Sequence, residues 1–247
     1  MNVLILGGTT EASAIADALA GDPRVRPVLS LAGRTRAPVL PAVPARRGGF
    51  GGVDGLAAYL RTHGVAALID ATHPFAGQIS RNAREASRFA GVPMVAVLRP
   101  PWAPGPGDRW TEAADMQAAV QALGAATRRV FLTVGQQELA PFRLAPWHRY
   151  LIRSVEPLDP AGLPASARAI TARGPFHEAA ERRLLEQEGV EVLVTKNSGG
   201  AATAPKLAAA RALRIPVVMV ARPVAPPGET VPDAAGALAW LNHVAPP

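Results

Sequence analysis

The sequence alternates between short apolar runs and amphipathic stretches, and this alternation restricts the possible folds more than any other feature. The runs are rich in Val and Ile, bounded by Gly or Pro, and too short for helices. They cover residues 3–6, 28–31, 66–69, 95–98, 130–134, 151–154, 192–195 and 217–220. Predicted helices lie between them at 10–20, 56–62, 77–90, 114–123, 177–188 and 205–213. The alternation predicts an α/β protein with three-layer domains and mostly parallel sheets buried on both faces.

A Pro- and Gly-rich stretch, "RPPWAPGPGDRW" at 99–110, interrupts the pattern. Such composition indicates a loop or a linker. The 247 residues exceed one typical domain and suit two small ones. We therefore predict two domains, 1–110 and 111–247, with a ligand cleft between them.

Composition narrows the classes of function. The formal charge of +7 can indicate nucleic acid or a small polyanion as partner, but a GC-rich genome enriches Arg together with Ala, Gly and Pro, and we prefer this explanation and predict no nucleic-acid partner. No zinc spacing or aromatic RNA-binding motif supports nucleic acid. The absence of cysteine excludes disulfides and thiolate metal sites. With no long apolar run and a first strand close to the amino terminus, we expect a cytoplasmic protein without signal peptide or membrane contact.

The opening stretch "NVLILGGTTEASAIADAL" predicts a strand, a tight turn and a helix. Gly7 and Gly8 permit positive φ and let a ligand approach the backbone. Thr9 and Thr10 can cap the helix or offer hydroxyl groups to a phosphate, which the positive helix end favours. A capped turn without ligand is the alternative, since the spacing departs from G-x-G-x-x-G.

The segment after the second strand, "VLSLAGRTRAP", bears on the choice of cofactor. In dinucleotide-binding folds an acid here binds the ribose 2′-hydroxyl of NAD, whereas an arginine accommodates the 2′-phosphate of NADP. This segment contains no carboxylate. The residues that we predict to contact the cofactor here are Ser30, Gly33, Arg34 and Thr35. We predict that Arg34 grips a phosphate, with a solvated loop arginine as the alternative.

The third strand ends in "LIDATHPFAG", which places Thr72 and His73 at the carboxyl edge of the sheet. Ligands bind at this edge in open parallel sheets. His73 could be an acid, a base or a hydrogen-bond anchor. No second histidine lies at i+4, so we predict no metal.

In the second half, "LVTKNSGGAATAPK" places Lys196, Asn197 and Ser198 after a strand. "TVGQQEL" and "TARGPFHEAAE" indicate two further turns before helices. A cleft lined by these residues suits an acidic ligand, although Asn, Ser and Gly are also ordinary turn residues. The glycine stretch "RRGGFGG" at 46–52, which contains the loop "GGFGG", either touches the ligand or is a permissive connection.

Taken together, these stretches resemble the precorrin-6A reductase family of cobalamin biosynthesis over nearly the whole chain. The points of resemblance are "GGTTEA", "LAGR", "GGFGG", "DATHPFA", "RGPF" and "TKNSGG", in this order. The resemblance implies two Rossmann-like domains and an enzyme that uses NADPH to reduce one double bond of a macrocyclic tetrapyrrole, giving precorrin-6B. The implied substrate carries many carboxylates, and no metal or flavin is needed. A metal-free and a cobalt-loaded substrate are not distinguished.

By position, the resemblance assigns residues to the implied cofactor. Gly7, Gly8, Thr9, Thr10 and Glu11 would lie near its phosphates. Thr72 and His73 would lie nearer the nicotinamide, and Lys196, Asn197 and Ser198 would close the site from the other domain. The proton that follows the hydride could come from water, His73 or Lys196.

Three rival functions remain. A short-chain reductase normally carries Tyr-x-x-x-Lys, but His63 follows Tyr59 and Ser154 follows Tyr150 at that spacing. A basic module for nucleic acid or another polyanion would explain the charge alone. A tetrapyrrole carrier without turnover would not need the glycine turn.

Overall fold

The fold was analysed in a computed structural model that describes residues 1–33 and 42–244. In chain order the elements begin with β1 (Asn2–Leu6), α1 (Thr10–Leu19), β2 (Arg26–Leu31), β3 (Ala45–Arg47), α2 (Gly52–Thr62), β4 (Val65–Asp70), α3 (Gly77–Ala90) and β5 (Met94–Val97). They continue with β6 (Trp110–Ala113), α4 (Met116–Leu123), β7 (Arg129–Thr133), β8 (Arg149–Ser154), β9 (Ala167–Thr171), α5 (Glu178–Gln187), β10 (Val192–Lys196), α6 (Pro205–Ala212), β11 (Val217–Val220), β12 (Thr230–Val231) and α7 (Ala234–Val244).

Contacts between residues divide the chain into two compact units. The first unit comprises Met1–Pro100 and Pro223–Pro247, and the second comprises Pro101–Arg222. The sheet of the first unit has the strand order β3-β2-β1-β4-β5-β12, and that of the second has β9-β8-β7-β10-β11-β6. All strand pairings between described residues are parallel. The predicted α/β class with parallel sheets is thus confirmed.

The cores follow from the apolar strands. In the first unit, one cluster packs Ile5 and Ile69 with α1 and α7, and another packs Leu4 and Leu68 with α2 and α3 on the opposite face. In the second unit, Phe131 and Leu193 pack against α5 and α6. Alternate strand residues point to opposite faces, so each strand supplies two cores, as expected for a parallel sheet covered on both sides.

Both sheets have a doubly wound order, in which the chain reverses its direction along the sheet between two central strands. This switch point lies between β1 and β4 in the first unit and between β7 and β10 in the second. Loops that leave the carboxyl ends of these strands diverge, and the crevice between them is the usual ligand site of such sheets.

The sixth strand of each sheet comes from an unexpected part of the chain. β12 follows β11 in sequence but pairs with β5, whereas β6 follows β5 but pairs with β11. The predicted domains 1–110 and 111–247 differ from the two units for this reason. The Pro- and Gly-rich stretch at 99–110 ends at the first residue of β6, a strand of the second unit. The C-terminal residues of the chain, from Pro223 onwards, belong to the first unit.

The predicted apolar runs all fall on strands, and the six helices predicted by residue range fall on α1 to α6. Strands β3, β6, β9 and β12 and helix α7 were not predicted. β3, β6 and β12 are at most four residues long. All four of these strands have exposed side chains, and their sequences contain no run of apolar residues. Asp233 caps the start of α7 by accepting from Gly236 N at 2.8 Å, a signal that could have indicated this helix.

Candidate functional site

The turn after β1 lies at the switch point of the first unit. Gly7 N donates to Ser30 O at 2.9 Å, which ties the turn to the end of β2. A Cβ atom on Gly7 would lie 2.5 Å from Leu29 Cδ1, whereas nothing lies within 4 Å of the corresponding position on Gly8. Gly8 has φ of +118°. The turn therefore packs tightly on β2 on one side and presents open backbone on the other, where a ligand can approach.

Thr9 fixes the start of α1. Its Oγ1 accepts from Ala12 N at 3.2 Å and donates to Ala71 O at 2.7 Å. The first cap bond satisfies one of the amide groups at the helix end, and the second joins this end to the residue after β4. The positive end of α1 is thereby held over the carboxyl edge of the sheet, where it favours an anion.

Glu11, in the first turn of α1, pairs with Arg99 just after β5. Arg99 Nη1 donates to Glu11 Oε2 at 2.6 Å, and both side chains are largely buried. Burial alone would raise the pKa of Glu11, but its own backbone amide and Arg99 outweigh this and lower the pKa. Arg99 was not predicted as a site residue, because the Pro- and Gly-rich stretch that it opens is typical of a loop or a linker.

The end of β4 forms a tight, polar turn. Buried Asp70 accepts from Thr72 N at 3.0 Å and from Thr72 Oγ1 at 2.6 Å. Such a bond pattern locks the turn and fixes where the next residues lie. His73 is half-buried, and its Nδ1 accepts from Phe75 N at 3.2 Å. In the neutral ring the proton therefore sits on Nε2.

Two concave surfaces meet at this edge of the first unit. Thr72, Pro74 and Val97 line both. A small depression is lined by Thr9, Glu11, Ala71, Thr72, Pro74, Val97 and Arg99. A larger cavity also includes His73, Ser80 and Arg84. The structure thus brings Thr9 and Glu11 of the opening turn together with Thr72 of the β4 turn around the ends of β1, β4 and β5.

At the end of β2, Ser30 meets an arginine that sequence reasoning missed. Arg46 Nη1 donates to Ser30 Oγ at 2.7 Å and to Gly48 O at 3.0 Å. Its guanidinium carbon lies 3.8 Å from the centre of the Phe50 ring. Arg46 therefore holds the "GGFGG" loop against the end of β2. The signal available in the sequence was the pair of arginines, Arg46 and Arg47, that precedes the glycine-rich loop.

Gly33 follows β2 and lies beside the same loop. It has φ of +78°, and a Cβ atom there would lie 3.6 Å from Gly48 N. Arg34 and Thr35, which we predicted to contact the cofactor, lie outside the described residues.

We expect Gly55→Ala to disturb the "GGFGG" loop. The new Cβ would lie 1.7 Å from Phe50 O, a backbone atom that cannot move alone. Alanine normally stabilises a helix interior relative to glycine by about 1 kcal/mol, but here the overlap should reverse the sign and cost about 1–3 kcal/mol. The free energy of unfolding from urea denaturation measures the effect. Gly49→Ala is the control, because nothing lies within 4 Å of its Cβ position. Equal stability of the two variants would contradict the expectation.

The switch point of the second unit carries a lysine and a carboxylate instead of a glycine turn into an α-helix. Lys196 Nζ at the end of β10 lies 3.7 Å from Glu138 Oε1 after β7. A Cβ atom on Gly135 would lie 3.9 Å from Lys196 Nζ. The residues after β7 form two short 3₁₀ helices, Gln136–Glu138 and Ala140–Leu144, so the helix expected after "TVGQQEL" is not an α-helix.

Asn197 uses its side chain to hold Trp102. Asn197 Oδ1 accepts from Trp102 N at 2.8 Å, and Asn197 Nδ2 donates to Trp102 O at 2.9 Å. Its own backbone O accepts from Arg222 Nε at 2.6 Å. Ser198 is buried, and its N donates to Lys196 O at 2.7 Å. Asn197 thus organises this end of the second unit, and the signal for it, an Asn after a strand, was also an ordinary turn signal.

The described ranges contain no group of three or more His, Cys, Asp or Glu side chains that could hold a metal ion. None of the helices in these ranges combines the length and the apolar character that a membrane-spanning segment requires.

Comparisons with known proteins agree on one family. The family described as Precorrin-6x reductase CbiJ/CobK matches residues 2–242. The Precorrin-6A reductase of Rhodococcus erythropolis is 51% identical over 241 residues, which cover 97% of each chain. That of Rhodobacter capsulatus is 49% identical over 247 residues, covering 99% of this chain and 98% of the relative. A solved structure of CobK precorrin-6A reductase superposes with a TM-score of 0.94 at 48% identity, covering 99% of this chain and 97% of that one.

Proposed function

The chain belongs to the precorrin-6x reductase CbiJ/CobK family, and from this premise we propose that it reduces precorrin-6A to precorrin-6B with NADPH in cobalamin biosynthesis. Membership makes the chain an oxidoreductase. The relatives named Precorrin-6A reductase support precorrin-6A, which we take to be metal-free, as the substrate, and we propose a cytoplasmic site of action. The observation that carries the cofactor assignment is the open glycine turn that leads into α1 at the switch point of the first unit.

The first unit suits a dinucleotide better than the second does. Its switch point combines Gly8, whose outer side is open, with the amide end of a ten-residue α-helix. The second unit has 3₁₀ turns at the same place. Since pyrophosphate groups bind at α-helix N-termini after such turns, we assign the cofactor phosphates to Gly7, Gly8, Thr9, Thr10 and Glu11.

The remaining cofactor contacts follow from position. We assign the adenosine ribose and its 2′-phosphate to the end of β2, with Ser30, Gly33, Arg34 and Thr35. Thr72 and His73, at the end of β4, would contact the nicotinamide end. The described part of this edge supports the assignment, because Ser30 is hydrogen-bonded to a guanidinium group and no carboxylate of the described residues is bonded there.

Bound NADPH would supply the hydride, and the protein's own residues have two tasks. The first is to hold cofactor and substrate close and exclude water. The second is to deliver a proton to the carbon beside the one reduced. We assign this proton to Lys196, whose ammonium group Glu138 holds at the switch point of the second unit. Asn197 and Ser198 shape the turn that carries it. His73 is the alternative donor, through Nε2.

Arg34→Ala tests the cofactor assignment. A charge-assisted contact to the 2′-phosphate should make the variant bind NADPH about 10- to 100-fold more weakly, with NADH binding barely changed. Fluorescence titration at low salt measures both. Arg24→Ala, which removes an exposed arginine that pairs with Asp22, is the matched control. Equal weakening of both nucleotides by Arg34→Ala would reject this role.

Incubation with precorrin-6A and NADPH tests the activity itself. We expect loss of NADPH absorbance with one product that contains two more hydrogens, and slower turnover of the cobalt-containing analogue. Tetrapyrrole binding without NADPH oxidation would indicate a carrier. If DNA bound with a steep salt dependence and NADPH did not bind, the polyanion-binding alternative would replace this proposal.

A further inference from the structure

The second unit buries a lysine that the proposed reaction does not use. Lys206 lies in the first turn of α6 with 4% of its surface exposed. Its Nζ lies 5.3 Å from the centre of the Trp102 ring. Lysine is almost never fully buried unless it is paired, so its position requires an explanation.

The charges around Lys206 are already matched with one another. Arg153 on β8 forms a two-fold hydrogen-bonded pair with Glu181 on α5, at 2.6 and 2.9 Å. Lys196 on β10 pairs with Glu138. Among the ion pairs of residues 1–33 and 42–244, none includes Lys206. The cluster therefore carries one cation in excess.

This excess charge is unfavourable in the free protein. Burial, together with repulsion from Arg153 and Lys196 and against attraction by Glu181, lowers the pKa of Lys206 from 10.5 to about 7. Because the pKa of Lys206 is lower in the folded than in the unfolded protein, its contribution to the free energy of unfolding is most favourable above its usual pKa. This contribution is lost as the pH drops from about 10.5 to about 7. Methionine would fill the same space without this cost.

The position of Lys206 connects it to the candidate site. Its ammonium group faces the indole of Trp102, and Asn197 clamps the backbone of Trp102 by two hydrogen bonds. Asn197 directly follows Lys196. Lys206 therefore lies beside a residue that is held in place by Asn197, the first residue after β10.

Building on the proposed function, we propose that Lys206 binds one carboxylate of the tetrapyrrole substrate and takes up a proton as that carboxylate binds. An incoming carboxylate would supply the counter-charge that the cluster lacks. A buried ammonium–carboxylate pair is far more favourable than a buried amine beside two cations, so binding would favour the protonated form.

Isothermal titration of precorrin-6A in buffers of different ionisation enthalpy, without NADPH and without oxygen, tests this. At pH 8 a group with a pKa of about 7 is mostly neutral, so binding should take up about 0.9 proton, and close to none at pH 6. Lys206→Met should remove the uptake and weaken binding about 10- to 100-fold. Arg182→Met removes a positive charge from the exposed face of α5 and should leave both quantities unchanged.

The outcomes separate this inference from the proposed function. Precorrin-6A binding without proton uptake at pH 8 overturns the role of Lys206 and leaves the proposed function standing, even if Lys206→Met fails to fold. Uptake and affinity that persist in folded Lys206→Met also overturn it, because another group would then take up the proton. Failure of the wild-type protein to bind or reduce precorrin-6A would reject the proposed function.

Discussion

Lys196→Met is expected to lower kcat by about 10²- to 10⁴-fold while the affinity for NADPH stays within a few-fold of wild type. That range is what a positioned general acid contributes. The substitution keeps the length of the side chain and removes the only group that Lys196 could use to deliver a proton. Stopped-flow absorbance at saturating NADPH measures the reduction step, and titration of the nucleotide measures binding.

His73→Ala is the comparison. His73 Nδ1 accepts from Phe75 N, so we interpret the ring mainly as an anchor for the turn and expect a loss of less than about 10-fold. If His73→Ala loses more than Lys196→Met, the proton comes from His73 Nε2 and our assignment is wrong. A loss far above 10⁴-fold in either variant would show that positioning does not dominate the reaction.

Small amines provide a second test of whether Lys196 donates the proton. If its only role is to deliver a proton, methylamine should restore part of the activity of Lys196→Ala, and the rescue should depend on the protonated amine. A variant that is inactive because its site has rearranged would not respond to added amine.

Arg153→Met is expected to destabilise the second unit by about 3–5 kcal/mol. Glu181 would then keep a buried carboxylate without its guanidinium partner, and removing one partner of a buried pair has this order of cost. The pair is tight, since two hydrogen bonds join the groups and both side chains are buried. Arg153 also lies 3.9 Å from the centre of the Phe176 ring, which adds a packing loss. Urea denaturation followed by circular dichroism measures the change.

The double variant Arg153→Met/Glu181→Leu should recover much of this loss, because no unpaired charge remains except that of Lys206. Arg24→Met, which removes one partner of an exposed pair, is the control and should leave stability nearly unchanged. A double variant that is less stable than Arg153→Met would mean that the pair itself, rather than the orphaned carboxylate, carries the stability.

The sequence predicted the two parallel sheets and their helices because the signal for a buried strand is local. A strand covered on both faces must be apolar at nearly every position, so Val192–Lys196 and Val217–Val220 are visible as runs. Edge strands such as Trp110–Ala113 face water on one side and lack that signal. Their position depends on pairing with distant segments, which is why the two sixth strands and the limits of the two units differ from the prediction.

The same distinction applies to the site. The turn at Gly7 and Gly8 and the polar residues after β4 and β10 could be predicted, since chain direction and turn chemistry place them at the carboxyl edge of a sheet. Arg99 and Lys206 could not. Arg99 acts through Glu11, a partner far along the chain, and Lys206 is distinguished by its burial beside Trp102. Local periodicity and turn residues report how a segment is covered, whereas charge pairing and desolvation arise only when separate segments pack together.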